Sequence, residues 1–443
     1  ELSQLLNMNT NQTSYSRTYN NEGYFFRAMY NYDAKYYGSV SFRRDASSRF
    51  SKDNRWGNFW SAGGAWLISK ENFFPSTTWL NTLKLKASVG SQGNDNIGNR
   101  DNGYHLYANS YNIRNNDDNV AYQWHQKGTE DITWETNTNW NAGVEFELFK
   151  GRLSGSVDYF YRKTSDMLFT LTPPPSIGYT SYVVNAGDMR NSGVELALNA
   201  TLIRNKDWNW DFNFNISHVK NKVLSLPDEL KSMTVEGHDG YVNIDPNSSS
   251  KYTYFVAEDL PLYTWYLPKY AGVDKETGES LFYKDIIENG VVTGRETTKD
   301  GSQATRYLIG DALPSVYGGF GTSMAFRGFD LSVNMSYQLG GKVLDYNYET
   351  LMHTGGTTAT TWHTDIFKAW TPENTNTDVP RLLYSETYSQ TYRSDRFISK
   401  ASYLNCQNIN FGYTLTASLT RRFQIDNIRV DCVGENRCYN RLV

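Results

Sequence analysis

Apolar and polar side chains alternate along this chain with a period of two. In WNWDFNFNIS (208–217), Trp208, Trp210, Phe212, Phe214 and Ile216 are separated by Asn209, Asp211, Asn213, Asn215 and Ser217. Successive side chains of an extended strand point to opposite faces, so the pattern predicts a strand with one apolar and one polar face. LKLKASVG (83–90), LSGSVDYFY (153–161) and FDLSVNMSYQL (329–339) obey the same rule, and GVELALNATL (193–202) and INFGYTL (409–415) follow it more loosely. Each run is about 8–12 residues, close to the 9–11 that cross a bilayer at a tilt. In a soluble sandwich the apolar face turns inward. In a membrane barrel it turns outward to lipid, and the polar face lines a lumen.

The connections favour the barrel. Short turns join some runs, at Asp33-Ala34-Lys35, Lys150-Gly151, Asn205-Lys206-Asp207 and Arg327-Gly328. Long segments rich in Asn, Asp, Ser, Thr and Gly join the others, near 44–55, 91–130, 165–188, 220–312 and 341–400. Structureless loops beyond about 15 residues are uncommon in soluble domains, whereas outer-membrane barrels pair short periplasmic turns with long extracellular loops. Aromatic residues gather near predicted strand ends, at Tyr24-Phe25-Phe26, Tyr36-Tyr37 and Tyr159-Phe160-Tyr161. Such girdles suit the membrane interface, although aromatics also form strands readily anywhere.

Composition removes other classes. The net charge of −4 over 443 residues gives no basic field for nucleic acid. With 15% aromatic residues and only 11 Pro, the chain is not a disordered tail. No apolar run approaches the roughly 18 residues of a membrane helix. The mean hydropathy of −0.62 does not count against a barrel, half of whose strand residues face water. No signal peptide is read at the N-terminus, ELSQLLNMNT. Cys406, Cys432 and Cys438 form neither a disulfide framework nor a zinc-type spacing.

Several passages, taken in order, resemble the SusC/RagA type of TonB-dependent outer-membrane transporter. They are YFFRAMYNYDAKYYGSVSFRRDASSRF (24–50), RWGNFWSAGGAWLISKENFF (55–74), WLNTLKLKASVGSQGNDNIG (79–98) and ITWETNTNWNAGVEFELFKGRLSGSVDYFYRKTSDML (132–168). NAGDMRNSGVELALNATLI (185–203), YAGVDKETGE (270–279), YGGFGTSMAFRGFDLSVNMSYQLGGKVLD (317–345) and ASYLNCQNINFGYTL (401–415) complete the set. The resemblance implies an all-β fold, a transmembrane antiparallel β-barrel of the 22-stranded family, in the outer membrane of a Gram-negative, Bacteroidota-like bacterium. It implies an internal plug, energy from TonB-ExbB-ExbD, a SusD-like surface lipoprotein as lid, and oligosaccharide or peptide cargo. Plug, TonB box, the small N-terminal domain and the first strands are expected to be absent. The ending VDCVGENRCYNRLV departs from the family's aromatic finish, and Cys406 stands where an aliphatic residue is usual. Residues 1–443 are therefore read as the later part of one barrel domain, with its last strands expected to be absent as well. Alone, it is expected not to form a detergent-stable barrel, since open strand edges are not tolerated in lipid.

Motifs for chemistry are sparse. His105, His125, His218, His238, His353 and His363 make no H-E-x-x-H pair, and a metal site on His353 and His363 is weaker than a polar loop. GNDNIGNRDNG (93–103) is oxygen-rich but lacks calcium-loop spacing, so it reads first as turns, with loop calcium as the alternative. DKETGE (274–279) reads as a turn with Gly278 at positive φ, and TPPPSIGYT (172–180) as a stiff extended segment. No G-x-S-x-G, P-loop or Rossmann pattern is present, so no enzyme and no cofactor are expected. Loop aromatics Trp124, His125, Trp265, Tyr266 and Trp362 are the candidates for stacking on cargo, against packing of their own loops. Asn209, Asp211, Asn213 and Asn215 are expected to face the lumen. A passive porin and a soluble all-β carbohydrate-binding protein are the alternatives.

Overall fold

The computed structural model describes residues 18–75, 77–96, 106–116, 119–171, 175–179, 182–243, 254–355, 361–384, 392–416, 420, 424–425 and 428–441. The chain begins with β1 (Asn21–Tyr32), β2 (Tyr36–Ser47), β3 (Trp56–Leu67) and β4 (Leu80–Asn94). A separate hairpin follows, β5 (Ser110–Asn116) and β6 (Asn119–Gln126), and then β7 (Glu135–Leu148) and β8 (Leu153–Ser165). The short pair β9 (Leu168–Leu171) and β10 (Tyr182–Asn185) precedes β11 (Asp188–Arg204) and β12 (Trp208–Ser225). Next come β13 (Met233–Val235), β14 (His238–Asn243), β15 (Tyr254–Ala257) and β16 (Thr264–Pro268). They are followed by β17 (Tyr270–Val273), β18 (Ser280–Glu288), β19 (Val291–Thr298) and β20 (Arg306–Asp311). The chain closes with β21 (Val316–Phe326), β22 (Phe329–Leu339), β23 (Lys342–Leu344), α1 (Tyr346–Leu351), β24 (Ile398–Lys400), β25 (Tyr403–Thr414) and β26 (Arg429–Arg441).

Twelve of these strands form one sheet, in the order β1-β2-β3-β4-β7-β8-β11-β12-β21-β22-β25-β26. Every neighbouring pair is antiparallel and the order follows the chain, so the sheet is an unbroken meander. The predicted turns sit at one rim. Arg327 and Gly328 both take positive φ, at 45° and 89°, between the paired residues Phe326 and Phe329. That is the twist a two-residue hairpin turn requires. At Asn205–Asp207 the Asn205 carboxamide oxygen accepts from the amides of Asp207 (3.0 Å) and Trp208 (2.8 Å).

The long segments all leave from the opposite rim, and they are more structured than their polarity suggests. The segment between β12 and β21 folds into a five-stranded sheet, β13-β14-β15-β16-β20, and a three-stranded one, β17-β18-β19. Enclosed apolar clusters gather in these segments and at the rim they leave from. One holds Phe50, Leu106, Ile132 and Val183; another Val235, Phe255, Ala257 and Tyr266; a third Met352, Ala369, Val379 and Phe397. On the twelve-stranded sheet, by contrast, large apolar side chains stay uncovered: Trp140 is 54% exposed, Tyr159 49% and Phe411 48%. A sheet that exposes such rings along its length is built for an apolar solvent.

Candidate functional site

Antiparallel register places directly opposed residues on one face, so the two faces can be followed from strand to strand. One row runs Tyr32, Tyr36, Trp66, Leu85, Val144, Val157, Leu196, Ile216, Gly318, Tyr337 and Leu404. This row is apolar or aromatic from β1 to β25. Another runs Thr82, Glu147, Ser154, Asn199, Asn213, Gly321, Asn334, Asn408 and Glu435, and it is polar from β4 to β26. At the short-turn rim the apolar face ends in Trp208, Phe326, Phe329 and Tyr413, again in one row. The Trp208 and Phe326 rings stack with centroids 4.4 Å apart.

The polar face carries linked charges. Lys84 Nζ donates to Glu145 Oε2 at 3.0 Å, while Lys86 Nζ reaches Glu145 Oε1 at 3.0 Å and Asp158 Oδ1 at 2.9 Å. Gly143 lies between Lys86 and Asp158 in register, and a Cβ there would fall 2.0 Å from Asp158 Oδ1. The missing side chain is what lets this ion pair cross the intervening strand. Arg429 does the same over Gly412, donating to Asp330 at 2.7 Å and pairing with Asp431 at 2.7 Å. Asn209, Asp211, Asn213 and Asn215 share this face. Asp211 accepts from Thr201 Oγ1 (2.7 Å) and Asn209 Nδ2 (2.7 Å). Asn215 Oδ1 accepts from the Gly319 amide at 3.0 Å, and Asn213 is exposed.

Two hollows open on the polar face. One, of about 800 Å³, is bordered by Arg27, Ser88, Asn141, Asp158 and Glu195. The other, of about 600 Å³, lies toward the long-segment rim and is bordered by Ser41, Arg43, Asp45, Gln92, Asp95 and Trp134. Its aromatic wall is a cluster: Phe59 meets Trp134 edge-on at 5.4 Å, and Phe50 lies 5.5 Å from the same indole. Sequence reasoning missed Trp134, because its place above the sheet depends on the fold of the segment before β7. An indole beside guanidinium, carboxylate and carboxamide groups suits a polyhydroxylated or peptidic ligand.

The loop candidates divide. Trp124 lies at the long-segment rim, 37% exposed, with Tyr111 at 4.7 Å and Tyr179 at 6.3 Å. The side chain of His125 lies outside the described residues. Trp362 is half exposed, stacks on His353 at 4.9 Å and donates its Nε1–H to the His353 carbonyl at 2.8 Å. Trp265 and Tyr266 do not stand free in a loop, which corrects the expectation. They belong to β16 and are only 3% and 8% exposed. Trp265 donates to the Lys342 carbonyl at 3.0 Å and packs on Tyr254 at 4.6 Å. Short strands covered on both faces lose the period-two signature, so their burial was not visible in the sequence.

No group of three or more His, Cys, Asp or Glu side chains suited to a metal occurs among the described residues. Most of 93–103 lies outside them. The turn 274–279 forms as expected, with Gly278 at φ 77° under the Trp370 ring. Asp274 Oδ1 accepts from the amides of Glu276 (2.9 Å) and Thr277 (3.2 Å), and Lys299 lies 3.2 Å from Oδ2. Those bonds, the Glu276 amide foremost, hold its carboxyl down at about 2. In the same region, burial first and the Asp285 hydrogen bond second push the Tyr307 hydroxyl up to about 12.

Comparison with known proteins agrees with this geometry. Residues 2–343 match the family described as TonB dependent receptor-like, beta-barrel. TonB-dependent receptor P3 of Formosa agariphila is 30% identical over 428 residues, covering 93% of this chain and 40% of that protein. TonB-dependent receptor SusC of Bacteroides thetaiotaomicron is 30% identical over 408 residues, covering 91% of this chain and 38% of that protein. The chain thus spans about 40% of the length of these curated relatives. A solved structure of the RagAB peptide transporter superposes with a TM-score of 0.77 at 28% identity, over 95% of this chain and 44% of that one.

Proposed function

The chain belongs to the TonB-dependent receptor-like β-barrel family, and on that footing we propose that it forms wall strands of an outer-membrane importer. In this reading the apolar rows face lipid, and Asn209, Asp211, Asn213 and Asn215 face the lumen. The observation that carries it is the apolar row that runs unbroken from β1 to β25 on one face, with the Trp208–Tyr413 girdle closing the apolar band at the short-turn rim. Short turns then lie in the periplasm and the folded long segments outside the cell.

Nutrient enters from the long-segment rim, and the first contacts are the rim aromatics Trp124 and Trp362 and the hollow beside Trp134. The cargo is an oligosaccharide, or a peptide as the name of the RagAB relative suggests. The importer works beneath a SusD-like lipoprotein and draws energy from TonB-ExbB-ExbD through parts of the protein other than these strands. A passive pore differs in one respect, since its flux does not need TonB.

The test is uptake of labelled oligosaccharides and peptides by cells carrying or lacking the gene, with and without TonB. Gene- and TonB-dependent uptake of one cargo class is expected. Gene-dependent uptake indifferent to TonB would make the barrel a pore. Recovery of the protein in the soluble fraction without detergent would overturn the membrane reading.

A further inference from the structure

The apolar face changes character toward the long-segment rim of β8, β11 and β12. There Thr138, Lys163, Arg190 and Lys222 occupy one register row. The next row on the same face is Trp140, Tyr161, Ser192 and Lys220. Four cations thus cluster on the face that is mostly apolar. Asp188 pairs with Lys163 at 2.7 Å and Asp259 with Lys222 at 2.6 Å, which leaves an excess of positive charge. Lys220 is exposed and makes no ion pair among the described residues, and Arg190 Nε is buried without a hydrogen-bond partner. Asp259 is 67% exposed on its segment and can swing away from Lys222.

Nearer the short-turn rim and displaced toward β1, with its floor on β2, β3, β4 and β7, the same face is hollow. Tyr30, Gly38, Gly64, Ala87, Ala142 and Tyr159 form one row, large at both ends and small between. The resulting trough holds about 900 Å³. From Gly38 to Ala142 it crosses three strand spacings, roughly 15 Å at about 4.8 Å each, which is room for several acyl chains side by side. Depth agrees as well. Lys220 follows Trp208 by twelve positions on β12. At about 3.3 Å per residue and a tilt near 40°, that is roughly 30 Å, the thickness of the hydrocarbon core. The cations therefore stand where outer headgroups begin, with Trp140 and Tyr161 level with Lys220 and one row below Lys163, Arg190 and Lys222.

We infer that this face holds a phosphorylated, multiply acylated glycolipid of the outer leaflet. Its phosphate sits on Lys163, Arg190, Lys220 and Lys222, and its acyl chains lie along the trough. The inference rests on the barrel reading above. A phosphate on four cations is charge-assisted and multidentate.

The test uses the full-length receptor extracted from outer membranes in mild detergent and stripped of lipid. It is offered lipid A with one phosphate, the same lipid dephosphorylated, or phosphatidylglycerol, and retention is read by native mass spectrometry. Phosphorylated lipid A is expected to be held, and the other two lost. The combined Lys163→Gln, Arg190→Gln, Lys220→Gln and Lys222→Gln variant is expected to lower retention at least tenfold. A charge-keeping variant (Lys163→Arg, Arg190→Lys, Lys220→Arg and Lys222→Arg) should retain it, which separates lost charge from a lost fold. Gly64→Leu, which fills the trough and leaves the cations intact, should also weaken retention. Equal retention of all three lipids, or a neutralised variant that binds like the parent, overturns the phosphate site alone. Absence of the receptor from the outer membrane overturns the barrel reading as well.

Discussion

Asn213 and Asn334 reach toward one another across Gly321, whose absent side chain is the space their carboxamides occupy. A Cβ on Gly321 would lie 2.8 Å from Asn213 Nδ2 and 2.6 Å from Asn334 Oδ1. Both are the tips of side chains that can turn away. Gly318, three positions earlier on β21, is different, because a Cβ there would meet the Asn215 carbonyl oxygen at 2.1 Å. Gly321→Ala is expected to cost about 1 kcal/mol or less and Gly318→Ala about 2–3 kcal/mol. Denaturant midpoints of the detergent-folded receptor decide this, and equal costs would mean that the backbone relaxes freely at both sites.

The face assignment has its own test on β12. Phe212 lies four positions from the Trp208 girdle, roughly 13 Å along the strand. Phe212→Arg should cost about 2–4 kcal/mol near the bilayer midplane, while Asn213→Leu on the wet face should be mild. Equilibrium folding into vesicles measures both. The reverse order would place this strand in a soluble core.

Trp124 and Trp265 are chemically alike and differently placed. Trp265→Ala should cost about 3–5 kcal/mol of stability in its own unit, because it leaves a cavity and an unpaired Lys342 carbonyl. Proteolysis within 226–315 reads this out. Trp124→Ala should leave that proteolysis unchanged and weaken cargo uptake several-fold. Unaltered uptake would confine Trp124 to packing with Tyr111 and Tyr179.

Asp274 gives a pH prediction. Its folded carboxyl sits at about 2, below its ordinary value, so the turn's extra stability is present above about pH 4 and fades as pH falls toward 2. Asp274→Asn removes that dependence. Exchange of the Glu276 and Thr277 amides should be faster in the variant at pH 6 and converge with the parent near pH 2. A constant difference across that range would assign the effect to shape rather than charge.

The sheet was legible in the sequence because its two faces meet unlike surroundings. WNWDFNFNIS showed the alternation directly, and the turns at Asn205 and Arg327 fell between the strands they join. Wherever both faces of a strand are covered, as in TWYLP at β16, alternation disappears and only a short apolar run remains. Trp265 and Tyr266 consequently read as loop residues in the sequence. The hollow beside Trp134, and the cations Lys163, Arg190 and Lys222, were illegible for another reason. They become neighbours only once the register of separate strands is known.

The segment between β12 and β21 carries its own apolar centre around Phe255 and Tyr266, yet its ends rejoin the meander at strands that pair directly, His218 opposite Val316. A segment of this kind can be exchanged or lengthened without shifting the pairing of β12 with β21, provided its contacts with the neighbouring segment, such as Trp265 to the Lys342 carbonyl and Trp370 to the Lys275 carbonyl, are kept. Under the importer proposal, selection for a new nutrient can then act on this outer segment while the wall strands are inherited unchanged.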